Sequence, residues 1–418
     1  MEFQMVVLPL ICGEMTVEAY LFRYLKNGDL FEGWRASGAF PPDAPFAPLE
    51  MIDKTGLDAF AMSKPAFLPI RADVLLDQPQ QGWPKPAERV IFLLEGRADL
   101  SPPYLAKMAQ LRAEGYRFAL QNPDSIGECG GTLRLCDWVF LSGQPQDNER
   151  TREVFRDLRV LYPDIRLVAE KIETRGDFDR IDRADYALFE VHFPLAPGGD
   201  SLLPQRAGAA GFLRVTLAAN YDREQIAQTI KRDPALTASL LRMVSAPRLG
   251  ARVKIKTVEH ALFLLGQWEV RKWAVAATAA LDSNPPGEVA RTALLRAKFA
   301  ENLAPLFDLD HQAEELFLLG FCASLDLLYD LPLERAIKLV MPSDQVVQAL
   351  CENSGPFHPI CALISSYLRA DWPTVARQVI LDDLSETGLR AAYLDALAWS
   401  SGLVLQAEHR EAASPAHL

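Results

Sequence analysis

The chain has 418 residues, more than one hydrophobic core usually organises, and its apolar content of 49% is enough for two cores. With 43 Lys and Arg against 55 Asp and Glu, the formal net charge is -12. That balance repels nucleic-acid backbones and anionic lipid, so generic nucleic-acid binding is disfavoured. The first apolar run, Met5 to Cys12, is interrupted by Pro9, and Glu2 stands where a leader would carry a basic residue, so it predicts a strand. No apolar window is long enough to span a bilayer; the longest, around Ala274 to Leu281, falls short. Cys12, Cys129, Cys136, Cys322, Cys351 and Cys361 are scattered without a CxxC pair, which suits reduced thiols and a cytoplasmic setting.

From Met1 to about Pro197 short apolar runs alternate with helical stretches. The predicted strands are Met5–Cys12, Ala66–Ile70, Arg89–Leu94, Arg117–Leu120, Trp138–Leu141, Arg166–Ala169 and Tyr186–Val191. Between them lie segments such as Pro103–Glu114, with Leu105, Met108, Ala109 and Leu111 on one face. Such alternation predicts an α/β domain, and this many strands at this spacing favours a closed barrel over an open sheet. The breakers Ala196-Pro197-Gly198-Gly199-Asp200 mark a boundary. Beyond it the periodicity is helical throughout: Ile226, Ala227 and Ile230; Leu236, Leu240, Leu241 and Val244; Val258, Ala261, Leu262 and Leu265. Asp222 with Gln225, and Asp233 before Pro234, predict helix N-termini. The expected organisation is an α/β barrel over residues 1–200 and an all-α bundle over 201–418, each with its own core.

Four segments in the front half, in order, are Ala19-Tyr20-Leu21-Phe22-Arg23, Val90-Ile91-Phe92-Leu93-Leu94-Glu95, Gly115-Tyr116-Arg117-Phe118-Ala119-Leu120 and Val168-Ala169-Glu170-Lys171-Ile172-Glu173-Thr174. Together they resemble the EAL family of cyclic di-GMP phosphodiesterases, whose barrel holds two divalent metals around the attacking water. The resemblance implies an (β/α) barrel in which most ligand oxygens are replaced. Ala19 stands for the name-giving glutamate, with Glu18 on the opposite strand face. Pro69, Phe92, Gln121, Asn122 and Phe140 stand at further metal or catalytic positions, and Ser142 where an aspartate often follows. Glu190-Val191-His192 stands for a closing Gln-Gly-Tyr pattern. Arg23, Glu95, Glu170 and Glu173 are what the resemblance leaves of the original site. It implies no metal, no cofactor and no phosphodiesterase activity, and Phe92 and Phe140 are expected to fill the vacated space with apolar bulk.

In the second half, Ile230 to Ser245, then Ile255 to Leu262 and Leu264-Leu265-Gly266, resemble the HDOD family, and Phe317–Leu328 and Tyr367–Trp372 fit the same domain. No His-Asp dipeptide occurs, so His192 and His260 are expected to be partly buried polar residues rather than metal ligands. Trp268 and Trp273, five apart, are expected to place at least one ring in the core. Arg248, Arg252, Lys254 and Lys256 form a basic cluster in an acidic chain and are a candidate contact surface. The resulting expectation is a degenerate EAL barrel followed by a helical HDOD bundle, a signalling scaffold acting through protein contacts, a second copy of the chain among its partners. Cyclic di-GMP is not expected as a ligand; a non-hydrolysing sensor of the dinucleotide and an active phosphodiesterase are the alternatives.

Overall fold

The computed structural model describes residues 3–26, 47–77, 82–95, 101–123, 125–142, 149–181, 184–192, 204–218, 221–244, 257–281, 286–329 and 331–413. The strands β1 (Phe3–Ile11), β2 (Val17–Lys26), β3 (Ala66–Ile70), β4 (Val90–Glu95), β5 (Arg117–Gln121), β6 (Trp138–Ser142), β7 (Arg166–Ile172) and β8 (Leu188–Val191) close into one barrel in sequence order. β1 is antiparallel to both neighbours, β2 and β8, and all other pairs are parallel. The predicted seven strands are all present. β2 enters the barrel as the return arm of a tight hairpin, a local connection that strand–helix alternation does not reveal.

The register fixes which side chains point inward. Arg23 pairs with Val6, and Gln121 pairs with Phe140. Since pairing residues share a face and successive residues alternate, the lumen receives Leu21, Arg23, Phe67, Trp138, Phe140, Val168 and Glu170. Phe67 meets Trp138 and Phe140 edge-on at 5.4 and 5.0 Å between centroids. Phe140 therefore packs the interior, as expected. Phe92 does not: it pairs with Phe118, three residues before the inward Gln121, and so faces outward. There it contacts Trp83, Tyr116 and Phe118 at 5.2 to 5.8 Å. The period of two overrides the motif alignment, because β4 presents Ile91 and Leu93 inward instead.

The barrel's helices are α1 (Ala47–Thr55), α2 (Asp58–Ala61), α3 (Pro102–Ala113), α4 (Gly130–Leu133), α5 (Glu149–Leu161) and α6 (Arg175–Arg180). After them the described chain is helical: α7 (Pro204–Leu217), α8 (Arg223–Lys231), α9 (Pro234–Val244), α10 (Val258–Leu281), α11 (Pro286–Leu303), α12 (Ala313–Cys322), α13 (Leu325–Tyr329), α14 (Leu333–Val340), α15 (Asp344–Cys351), α16 (His358–Leu368), α17 (Trp372–Leu381) and α18 (Glu386–Ala413). The two predicted N-termini form as read. Asp222 accepts from the backbone N–H of Gln225 and Asp233 from that of Leu236, each at 3.1 Å. α10 changes direction at Gly266, whose φ of 75° suits glycine. Trp273 is buried against Phe212, while Trp268 is half-buried against Phe317.

Contacts group the chain into two units: Met1–Pro194 with Ser365–Arg390, and Leu195–Ile364 with Ala391–Leu418. The first passage falls beside the expected boundary. The expected division at 200/201 leaves out the return of residues 365–390 to the barrel unit, and Tyr367–Trp372, read from sequence with the helical domain, lie in that return. Within the second unit α11 and α12 pack so closely that a Cβ on Gly320 would stand 2.1 Å from the carbonyl oxygen of Arg296. Arg291, wholly enclosed, pairs with Glu288 at 3.3 Å and donates to the Ser401 hydroxyl at 3.1 Å, tying α11 to α18. Among the described residues no helix is long and apolar enough to cross a membrane.

The α11–α12 approach sets a test of packing. Gly320→Ala should lower unfolding stability by about 1–3 kcal/mol, because backbone rather than a flexible side chain blocks the new methyl. Urea titration followed by circular dichroism measures it, and an unchanged midpoint would contradict the close approach.

Candidate active site

The C-terminal ends of β2 to β8 define the barrel mouth, the face on which barrels of this kind place their chemistry. Glu170 stands there on β7. A register shift between Ala169 and Ile172, with Lys171 in the left-handed region at φ 55°, turns Lys171 to solvent and leaves Glu170 inward. Asn122, just past β5, is also left-handed at φ 48°, a conformation asparagine tolerates better than most residues.

Glu170 is 2% exposed and both of its oxygens are engaged. Oε1 accepts from Arg23 at 2.9 Å and from the Gln121 amide. Oε2 accepts from the Asn122 amide at 2.7 Å and from the Ser142 hydroxyl at 2.6 Å. Asn122 and Ser142 lock one another: the Ser142 N–H donates to Asn122 Oδ1 at 2.6 Å, and Asn122 Nδ2 donates to Ser142 Oγ at 2.9 Å. Beneath them the same Arg23 nitrogen reaches Glu190 Oε2 at 2.8 Å, so one guanidinium sits between two buried carboxylates. His192 Nε2 lies 3.3 Å from the other Glu190 oxygen and is partly buried, as expected.

Burial works against charge on Arg23, but Glu190 and Glu170 outweigh it and hold the guanidinium protonated beyond its ordinary range. Burial likewise opposes ionisation of Glu190, yet Arg23 and His192 prevail and lower its pKa to about 2.

Sequence reading named Arg23 and Glu170, and the structure brings them together. It did not name Glu190 as their partner, nor Gln121, Asn122 and Ser142 as donors to Glu170; the signal was their position at strand ends, read instead as lost ligands. Glu173 is exposed beyond β7 and has no part in this cluster. The backbone of Glu95 pairs with Gln121, and its side chain lies outside the described residues. Ala19 is buried and Glu18 is exposed beside Lys64, on opposite strand faces as read. The cluster Arg248, Arg252, Lys254 and Lys256 lies outside the described residues, as does the breaker segment Ala196 to Asp200. Among the described residues, no three His, Cys, Asp or Glu side chains converge as a metal site. The Glu170 carboxylate as it stands does not fit a divalent cation, since its lone pairs already face four donors.

The buried trio generates two predictions. Arg23→Leu strands two buried carboxylates and should cost about 3–5 kcal/mol of stability, measured by urea unfolding at neutral pH. Because the folded-state value of Glu190 lies below the ordinary 4.5, its stabilisation is complete above that pH and is lost as pH falls toward 2. Glu190→Gln should therefore flatten the acid limb of a plot of urea midpoint against pH, and an unaltered acid limb would refute the assignment.

Comparison with known proteins places these features. Residues 207–329 match the HDOD domain family. The chain is 26% identical over 242 residues to a Vibrio cholerae protein named cyclic di-GMP phosphodiesterase CdgJ, a match spanning 57% of this chain and 56% of that protein, so it covers about half of the relative's length. It is 22% identical over 335 residues to uncharacterized protein YuxH of Bacillus subtilis, covering 76% of this chain and 80% of that one. Among solved structures it resembles the Bacillus subtilis YkuI protein, with an EAL domain, in complex with substrate c-di-GMP and calcium, at 13% identity and a TM-score of 0.35 over 63% of this chain and 71% of that one. Two expectations are corrected by the Vibrio relative. Its name, a cyclic di-GMP phosphodiesterase, supports neither the expected lack of phosphodiesterase activity nor the expectation that cyclic di-GMP is not a ligand. The chain joins a closed eight-stranded barrel to a helical region in which residues 207–329 match the HDOD domain family.

Proposed function

We propose that this protein works in cyclic di-GMP signalling and that its barrel mouth receives the dinucleotide over Glu170. The observation that carries the reading is the arrangement of Asn122 and Ser142 at the rim, solvent-reachable and locked to each other, above a buried carboxylate and arginine. Amide and hydroxyl groups held in fixed orientation can donate to phosphate oxygens and guanine carbonyls and accept from guanine N–H groups. Pre-fixed orientation lowers the ordering cost of binding. The similarity to a protein named as a cyclic di-GMP phosphodiesterase supports the choice of ligand, and hydrolysis is the reaction to measure on the same complex.

Isothermal calorimetry with cyclic di-GMP, with and without magnesium, should give saturable binding. Asn122→Ala should weaken it by about tenfold, the equivalent of one hydrogen bond of roughly 1.4 kcal/mol. Chromatography of the same mixtures reports linearisation. Absence of binding at millimolar dinucleotide under both conditions would overturn the proposal.

A further inference from the structure

Residues 365–390 group with the barrel although they follow the HDOD match in sequence. The hydroxyl of Tyr367, at the end of α16, lies 3.0 Å from both Gln4 Oε1 and the Met5 carbonyl oxygen, and the side chain is wholly buried. Gln4 in turn donates from Nε2 to the Glu386 carbonyl at 2.8 Å. Arg390 donates to the Phe3 carbonyl at 2.8 Å, and its guanidinium lies over the Phe3 ring at 5.2 Å. Three successive residues of β1 are thus gripped from the two ends of one segment. Trp372 meets Tyr367 edge-on at 5.5 Å and braces it.

The position of that grip matters. β1 runs against β2 to β8, so its first residues lie at the mouth. Val6 pairs with Arg23, and Gln4, two residues earlier, shares the face that Arg23 presents to Glu170 and Glu190. Tyr367 is therefore anchored on the inner face of the barrel rim, one step outward from the buried trio. Between the two ends, α17 is bounded by left-handed residues, Ala370 at φ 56° and Asp383 at φ 50°. Element ends of this kind are where chains absorb a hinge rotation.

We propose that residues 365–390 form a strap across the β1 side of the mouth, and that its release at Tyr367 governs entry of the dinucleotide to the Arg23–Glu170 site. This rests on the proposed function for the identity of the ligand alone. The strap meets β1 through hydrogen bonds and ring contacts at its two ends, while α17 between them buries Trp372, Val375, Ala376 and Val379 and leaves Ile380 and Leu381 exposed. The end contacts are separate from the pairing of β1 with β2 and β8, so loosening them at Tyr367 leaves the strand ladder in place.

Tyr367→Phe keeps the ring against Trp372 and deletes the shared hydroxyl. Hydrogen exchange on the full chain should then quicken together at residues 3–5 and 366–390, by about tenfold. Stopped-flow mixing with a fluorescent cyclic di-GMP should show association several-fold faster than wild type. Arg390→Ala, at the other end of the strap, should act in the same direction and serves if Tyr367→Phe does not fold. Wild-type protection at residues 3–5, or faster exchange with an unaltered association rate, would overturn the strap. If neither wild type nor variant binds the dinucleotide, the proposed function fails. Entry is then read by the rate at which a small thiol reagent modifies Gln121→Cys: faster labelling in the Tyr367→Phe background upholds the strap, and equal rates overturn it.

Discussion

A single guanidinium shared by two carboxylates organises the mouth of this barrel. Arg23 comes from β2, Glu170 from β7 and Glu190 from β8, so the three charges join strands on both sides of β1. In a lumen otherwise filled by Phe67, Trp138, Phe140 and Val168, none of these charges has water to fall back on, and each is tolerable only because the others are present. The geometry of the rim follows from that requirement. Glu170 must point inward to meet Arg23, which the bulge at Lys171 secures, and its remaining lone pairs must be satisfied, which Gln121, Asn122 and Ser142 accomplish.

The neutral residues of β5 and β6 thereby acquire a meaning that motif comparison hides. Compared position by position with a metal-binding barrel, Gln121 and Asn122 read as losses. In the folded chain they are donors to a carboxylate, a part that aspartates in the same places could not play while ionised.

Much of the fold was legible because it rests on local regularities. Alternating apolar residues mark the parallel strands, and aspartates three residues before a free N–H mark α8 and α9. What was not legible depends on partners far apart in the chain. Glu190 is indistinguishable from any other acid at a strand end until Arg23 is placed beside it. Phe92 was misassigned because a motif gives an order of residues, whereas the ladder gives a face, and Phe118 opposite it decides the matter. The role of Tyr367 depends on a contact with Gln4, and no periodicity within α16 announces that its last turn belongs with β1.

The return of residues 365–390 also bears on the order of events during synthesis. Chains emerge from the ribosome N-terminus first, and early segments can begin to fold before later ones exist. The strands of the barrel appear first, then the whole HDOD-matching stretch, and only afterwards the residues that cover Phe3, Gln4 and Met5. Throughout that interval the amide of Gln4 and the carbonyls of Phe3 and Met5 must find other company. A nascent barrel in this state presents an incomplete rim to chaperones and to other copies of itself, and its maturation is timed by translation of a segment encoded well beyond its last strand.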